Sequence, residues 1–145
     1  MFNNKKGFTL IELLLVMALV LIIGVFSATF YTRFIAQMAV RDAREGLSGM
    51  FHEAQALSMS GRENSTWGVK YQEGKLTLFS GGSYANRNQT LDKNLEINSH
   101  IIISGFEETV FNFPAGKPNE SFPAIIISWG NNEETLKLNS EGVVE

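Results

Sequence analysis

Residues 6–33 read KGFTLIELLLVMALVLIIGVFSATFYTR, and the distribution of charge within them decides the architecture of the chain. No residue between Glu12 and Arg33 carries a charge. Leu13 to Phe26 is unbroken apolar sequence that continues through Ser27, Ala28, Thr29, Phe30 and Tyr31. As a helix, Phe8 to Tyr31 would rise about 36 Å, enough to cross a hydrocarbon core about 30 Å thick. Lys5 and Lys6 stand just before it, so the positive-inside rule leaves the N-terminus in the cytoplasm and sends the C-terminal part across.

A secretory signal peptide also begins with basic residues and an apolar core. This stretch is longer than such a core, and Ala28-Thr29-Phe30 fits a small-x-small cleavage site poorly. A plain anchor accounts for the length but not for Glu12, the fifth residue of the apolar segment. A carboxylate there costs roughly 3 kcal/mol on insertion scales unless it finds a partner.

Lys6-Gly7-Phe8-Thr9-Leu10-Ile11-Glu12 (KGFTLIE) closely resembles the leader junction of type IV prepilins and secretion-system pseudopilins. The resemblance implies that residues 1–7 are a leader, cut between Gly7 and Phe8 by a membrane prepilin peptidase on the cytoplasmic side. It also implies N-methylation of the new Phe8 amine. Cleavage before the apolar segment keeps that segment in the mature protein. It also creates a cation at Phe8, for which Glu12, one helical turn on, is the complementary anion in a low-dielectric surrounding. In the family this pairing links neighbouring subunits. Pairing of Glu12 with its own Phe8 amine, aiding insertion more than registration, is the alternative. The implied partners are other pilin or pseudopilin subunits, prepilin peptidase, the inner-membrane assembly machinery and the membrane itself. The implied location is single-pass in the inner (cytoplasmic) membrane, with the C-terminal domain outside the cytoplasm, and afterwards an extracytoplasmic filament.

The helical pattern continues beyond this segment. Phe34, Ile35, Met38, Leu47, Met50, Phe51, Ala54 and Leu57 recur at three- and four-residue spacing, which predicts one apolar face. Gly61 and the polar Arg62-Glu63-Asn64-Ser65 give a stop, so one helix is expected from about Phe8 to Ser60. Gly24, Gly46 and Gly49 offer places for bending or close approach. From Trp67 the period becomes two. Trp67, Val69 and Tyr71 share one face, Leu76 and Leu78 follow after a Gln72-Glu73-Gly74 turn, and Gly130-Asn131-Asn132 turns a last hairpin. Further strands are expected near Leu95 to Ile97, Ile101 to Ser104, Thr109 to Phe113, Ala124 to Trp129 and Glu134 to Asn139. Residues 80–89 read as a long surface loop. The whole is an α+β arrangement, a long N-terminal helix whose second half packs on an antiparallel sheet. The expected divisions are a leader at 1–7, an apolar helix half at 8–32, an amphipathic half at 33–61 and a β-rich domain at 62–145.

This order, with Phe113-Pro114-Ala115-Gly116 and the closing Leu138 to Val144, resembles the H-type pseudopilins and FimT-like minor pilins. It tips the reading toward a minor subunit. FimT-like pilins that take up DNA carry arginines around the final glycine, whereas this chain ends Glu141-Gly142-Val143-Val144-Glu145. Arg62 to Glu145 holds seven Lys/Arg against eleven Asp/Glu, a net of −4, which repels a phosphate backbone. Nucleic acid is therefore not an expected partner. A pilus-tip module for DNA uptake or adhesion, gripping through the loop near Tyr84, stands as the alternative function.

The full 145 residues carry a net charge of −3 and no cysteine, which excludes disulfides, thiolate metal sites and cysteine nucleophiles. His52 and His100, the two histidines, have no triad or metal-ligand pattern around them. Glu107-Glu108 and Glu133-Glu134 are adjacent carboxylates, which on a strand point to opposite faces and make no acid/base pair. No phosphate loop or nucleophile elbow is present. No catalytic residue, cofactor or metal is expected, and a membrane-tethered hydrolase is the weakest alternative.

Overall fold

The computed structural model describes residues 7–145, with the side chains of residues 26–30 excepted. Of the expected leader only Gly7 falls among the described residues. The chain divides into two units, one ending at Ile35 and one running from Ala36 to Glu145. Helix α1 (Leu10–Met59) is a single element of 50 residues that contributes to both.

In the first unit every described side chain from Gly7 to Val25 is exposed. Among the described residues no helix is long and apolar enough to cross a membrane. The fully described apolar run stops at Val25, and Phe26 to Phe30, which the expected span also needs, lie outside the described side chains.

In the second unit α1 packs against two antiparallel sheets. The first sheet has the order β3-β2-β1-β5-β6 and comprises β1 (Trp67–Gln72), β2 (Lys75–Ser80), β3 (Lys93–Glu96), β5 (Glu108–Asn112) and β6 (Lys117–Pro118). The second has the order β4-β7-β8 and comprises β4 (Ile102–Ser104), β7 (Phe122–Trp129) and β8 (Asn132–Leu138). The β1–β2 hairpin runs in register from Trp67 opposite Ser80 to Gln72 opposite Lys75, with Glu73-Gly74 at its turn. Two sheets stand where one was expected. The two-residue β6 gives no periodic signal, and the last hairpin turns on Gly130-Asn131 because Asn132 already pairs with Trp129.

The helix face that enters the core differs in part from the predicted stripe. Leu47, Met50, Phe51 and Ala54 are buried, but the face continues backward through Ala43, Val40 and Ala36. Phe34, Ile35 and Met38 are exposed, by 58%, 39% and 44%. Steps of three and four residues counted back from Leu47 reach Ala43, Val40 and Ala36. The large apolar residues drew the eye from the small ones that hold the phase. Gly46 is approached closely, since a Cβ there would stand 2.7 Å from Leu95 Cδ2, while Cβ atoms on Gly24 and Gly49 would meet nothing within 4 Å.

Phe51 is fully buried and joins the sheets. Its ring meets Phe106 edge-on at 5.2 Å and Phe111 of β5 at 6.2 Å, and Phe106 meets Phe122 of β7 at 5.3 Å. Two charged contacts flank this axis. Arg44 Nε donates to Thr135 O of β8 at 3.4 Å, and Lys93 Nζ of β3 lies 2.7 Å from Glu53 Oε2. At the end of the helix, buried Ser58 donates to Phe111 O and accepts from the Trp67 amide, both at 2.9 Å. One hydroxyl thus stitches α1 to β1 and β5.

Ser58→Ala would leave a buried amide and a buried carbonyl unpaired, a cost of about 1–3 kcal/mol. The chain from Arg33 onward is expected to form a soluble monomer with mixed helix and strand circular dichroism and a cooperative melt, and Ser58→Ala is expected to lower that melting temperature. A spectrum without strand signal, or a melt that Ser58→Ala does not move, would contradict this packing.

Candidate processing and assembly site

The N-terminal junction is built by local hydrogen bonding. Thr9 sits just before α1, its side-chain Oγ1 accepts the Glu12 amide at 3.3 Å, and its carbonyl accepts the Leu13 amide at 3.2 Å. Thr9 is therefore the helix cap, with Glu12 in the third helical position of a T-x-x-E pattern. That pattern was visible in the sequence and gives Thr9 a role that the apolar reading overlooked. Gly7 and Phe8 lie outside the helix, and Phe8 is 84% exposed. The Gly7–Phe8 bond is thus in accessible, non-helical backbone. A Cβ on Gly7 would meet nothing within 4 Å among the described residues. Glu12 lies in the first turn of α1 and is exposed. Its charge suits the positive end of the helix dipole, and among the described residues no cation pairs with its carboxylate.

Residues 80–89, expected as a surface loop, and the residues just after them carry two short 3-10 turns, Tyr84–Asn86 and Gln89–Leu91. Tyr84 packs edge-on against Phe79 at 5.6 Å, and its amide donates to Glu108 Oε1 at 2.8 Å. The Arg87 guanidinium lies 3.7 Å from the Tyr84 ring centroid, donates to Tyr84 O at 2.8 Å, and pairs through Nε with Asp92 Oδ2 at 2.8 Å. The hydrogen bond to Asp92, with its charge, holds the guanidinium above its ordinary pKa. Arg87 is committed to its own loop and is a poor candidate to grip an external phosphate.

Neighbouring surface is anionic. A cleft of about 1080 Å³ near this loop has Lys70 as its cation and Glu73, Glu107, Glu108 and Glu120 as its anions. Glu107 and Glu108 face differently, as adjacent strand residues do, Glu107 being 90% exposed and Glu108, opposite Lys70 in the β1–β5 pairing, 29%. Both carboxylates lie 3.8 Å from Lys70 Nζ and occupy that cation from two sides. Glu134 reaches Arg44 at 4.0 Å while Glu133 is exposed. His52 is exposed, and His100 stacks on Trp129 with ring centroids 4.8 Å apart. Among the described residues no three His, Cys, Asp or Glu side chains gather to hold a metal ion.

The scattered marks of the second half meet at one place. Gly116, in the turn that follows Phe113 and Pro114, and Gly142, near the C-terminus, both abut Gln55 of α1. Gln55 Nε2 donates to Gly116 O and Glu141 O, each at 3.0 Å. A polar residue near the end of a helix gives no sequence signal of such a role.

The chain matches the family model of the prokaryotic N-terminal methylation motif over residues 2–28. That motif is characteristic of type IV pilins and pseudopilins and supports a processed subunit of that general kind, assembled with other pilin subunits. It also suggests membrane anchoring followed by an extracytoplasmic filament. No curated protein and no solved structure matches the chain.

Phosphate binding has a direct check. The segment from Arg33 onward is expected to pass over immobilised duplex DNA unretained at about 50 mM salt, where an electrostatic binder is held and from which it is released near 200 mM. Salt-dependent retention would contradict the anionic reading of this surface.

Proposed function

We propose that this chain is a structural, non-catalytic subunit of a type IV pilus-like filament or a type II secretion pseudopilus, made as a prepilin and cut between Gly7 and Phe8. The observation that carries the reading is the methylation motif at residues 2–28, which contains Gly7 and Phe8. A residue without a side chain at position 7 suits the site of a peptidase. Removal of residues 1–7 takes away both leader lysines and leaves a cationic amine at Phe8, one residue before the Thr9 cap.

That amine lies at the positive end of the helix dipole, where a cation is disfavoured and an anion is needed. Glu12 is that anion. In a lipid or helix-packed surrounding the two charges attract strongly. We assign the pair to adjacent subunits, Glu12 of one facing the Phe8 amine of the next, because this adds order to an otherwise featureless apolar contact. N-methylation would fall on the same amine. The apolar helix first lies in the inner membrane and then packs against helices of related subunits. Within the class we read a minor pilin or pseudopilin of the H-type or FimT-like kind, from the sequence resemblance at Phe113 to Gly116 and Leu138 to Val144.

Mass spectrometry of protein from the native cell is expected to give a chain beginning at Phe8 and one methyl group heavier than the unmodified fragment. Gly7→Val is expected to leave the full chain uncut in the membrane while the domain folds normally. An intact Met1 in assembled filaments, or a cut after residue 26, would overturn the reading.

A further inference from the structure

Three of the four sheet edges in the second unit carry features that discourage a further strand. β8 is covered by the returning chain, where Lys137 and Glu145 exchange backbone hydrogen bonds at 2.9 and 3.0 Å. β3 bears Lys93 and Glu96, and β6 is a lysine followed by a proline. β4 is different. It ends the order β4-β7-β8 and contains neither charge nor proline. Among the described residues, Ile102, Ile103 and Ser104 make no backbone hydrogen bond beyond their ladder with β7, and the Ile102 side chain is 65% exposed.

The cleft of about 1080 Å³ beside the Tyr84 loop runs along this edge. It touches Ile103, Ser104 and Gly105 in succession, while Ile127 and Ile126, the β7 partners of Ile103 and Ser104, do not line it. Successive strand residues point to opposite faces. A cleft that meets both faces of a strand and none of its partners therefore lies at the strand's open edge. The wall across from it comes from the first sheet, with Tyr71, Gln72 and Glu73 at the end of β1 and Tyr84 beyond them. Charge in the cleft is unbalanced. Lys70 is its cation among the described residues, and Glu107 and Glu108 share it at 3.8 Å. Glu73 and Glu120 are exposed and, among the described residues, have no cation.

We propose that this cleft is a docking groove for an extended, basic segment of a partner protein, which pairs with β4 as a new end strand. Backbone hydrogen bonds to β4 hold the segment whatever its sequence, and Glu73, Glu107 and Glu120 select lysine or arginine side chains and turn acidic ones away. β-Branched residues between the basic ones suit the edge, because the strand already seated on the other side of β4 repeats its sequence: Ile125-Ile126-Ile127-Ser128 runs antiparallel to Ile101-Ile102-Ile103-Ser104. A second copy of this chain fits less well. Its own β4 is uncharged and is followed by Glu107 and Glu108, which bring like charge to the groove. The proposal concerns the folded unit itself and does not depend on the filament reading.

Anisotropy of a fluorescent octapeptide of alternating lysine and valine, titrated with the full-length chain in uncharged detergent micelles and compared with empty micelles, tests it. Binding should saturate, and hydrogen exchange of the complex should slow across residues 101–106 while β8 is unchanged. The same peptide N-methylated at every amide keeps its charges and loses its backbone donors, so it should bind at least about tenfold more weakly. An octapeptide of alternating glutamate and valine should not bind. Glu73→Gln combined with Glu120→Gln should weaken the lysine peptide about fivefold at low salt, and less at high salt. Absence of saturable binding, equal binding of the N-methylated peptide, or protection that leaves residues 101–106 untouched would overturn the groove. Protection of β4 that grows with protein concentration in the absence of peptide would place a second copy there and would overturn it as well.

Discussion

The second unit is organised about the ring of Phe51. It is the helix side chain that touches Phe111 in one sheet and, through Phe106, Phe122 in the other. The two sheets share one core, in which Phe51 lies with Leu47 and Met50 of the helix, Leu76 and Leu78 of one sheet and Ile125, Ile127 and Leu136 of the other. Its position also fixes the rotation of the helix. With Phe51 inward, Ala54 and Ser58 follow on the same face toward the end of α1, and Leu47, Ala43, Val40 and Ala36 precede it. Phe34, Ile35 and Met38 are then left outside the core, and the polar stitch at Ser58 and the seat at Gln55 fall into place.

The buried core of this unit is drawn from residues between Val40 and Leu138. Nineteen consecutive described residues, Gly7 to Val25, are exposed, and apolar surface on that scale does not stay in water. Lipid can cover it, and so can like helices. Exchanging lipid for protein gains little from hydrophobicity, since both are apolar, so association rests on close packing and on polar pairs. Under the proposed function the one charge in the segment therefore decides register, and the many leucines and valines supply contact.

The sequence revealed the long helix, most strands and the N-terminal methylation motif because each has a strong one-dimensional signature: charge absence, a change of period, or a short motif. It misled where large residues outweighed small ones, so that Phe34 and Met38 stood in for Ala36 and Val40. Strand alternation also does not encode that the carboxylates of Glu107 and Glu108 each lie 3.8 Å from Lys70 Nζ. β6 was too short to be seen, and the split into two sheets depends on long-range pairing that local pattern does not encode. Ser58 and Gln55 act through partners 53 to 86 residues away, and neither residue type distinguishes such a role from a solvated helix position. At the junction Gly7, Phe8, Thr9 and Glu12 lie within six residues, so the motif is legible in one dimension, and the structure adds the Thr9 cap.

The central claim is that Glu12 serves assembly between subunits and not anchoring. Its most direct measurement follows Glu12→Gln and Glu12→Val in cells that build the filament, with membrane fractions and sheared filaments probed side by side. Glu12→Val makes the segment more apolar, and Glu12→Gln keeps the shape while removing the charge. The account predicts that both variants still insert and are still cut before Phe8, while their incorporation into sheared filaments falls, because a buried amine is left without its anion. Normal incorporation of both variants would contradict it.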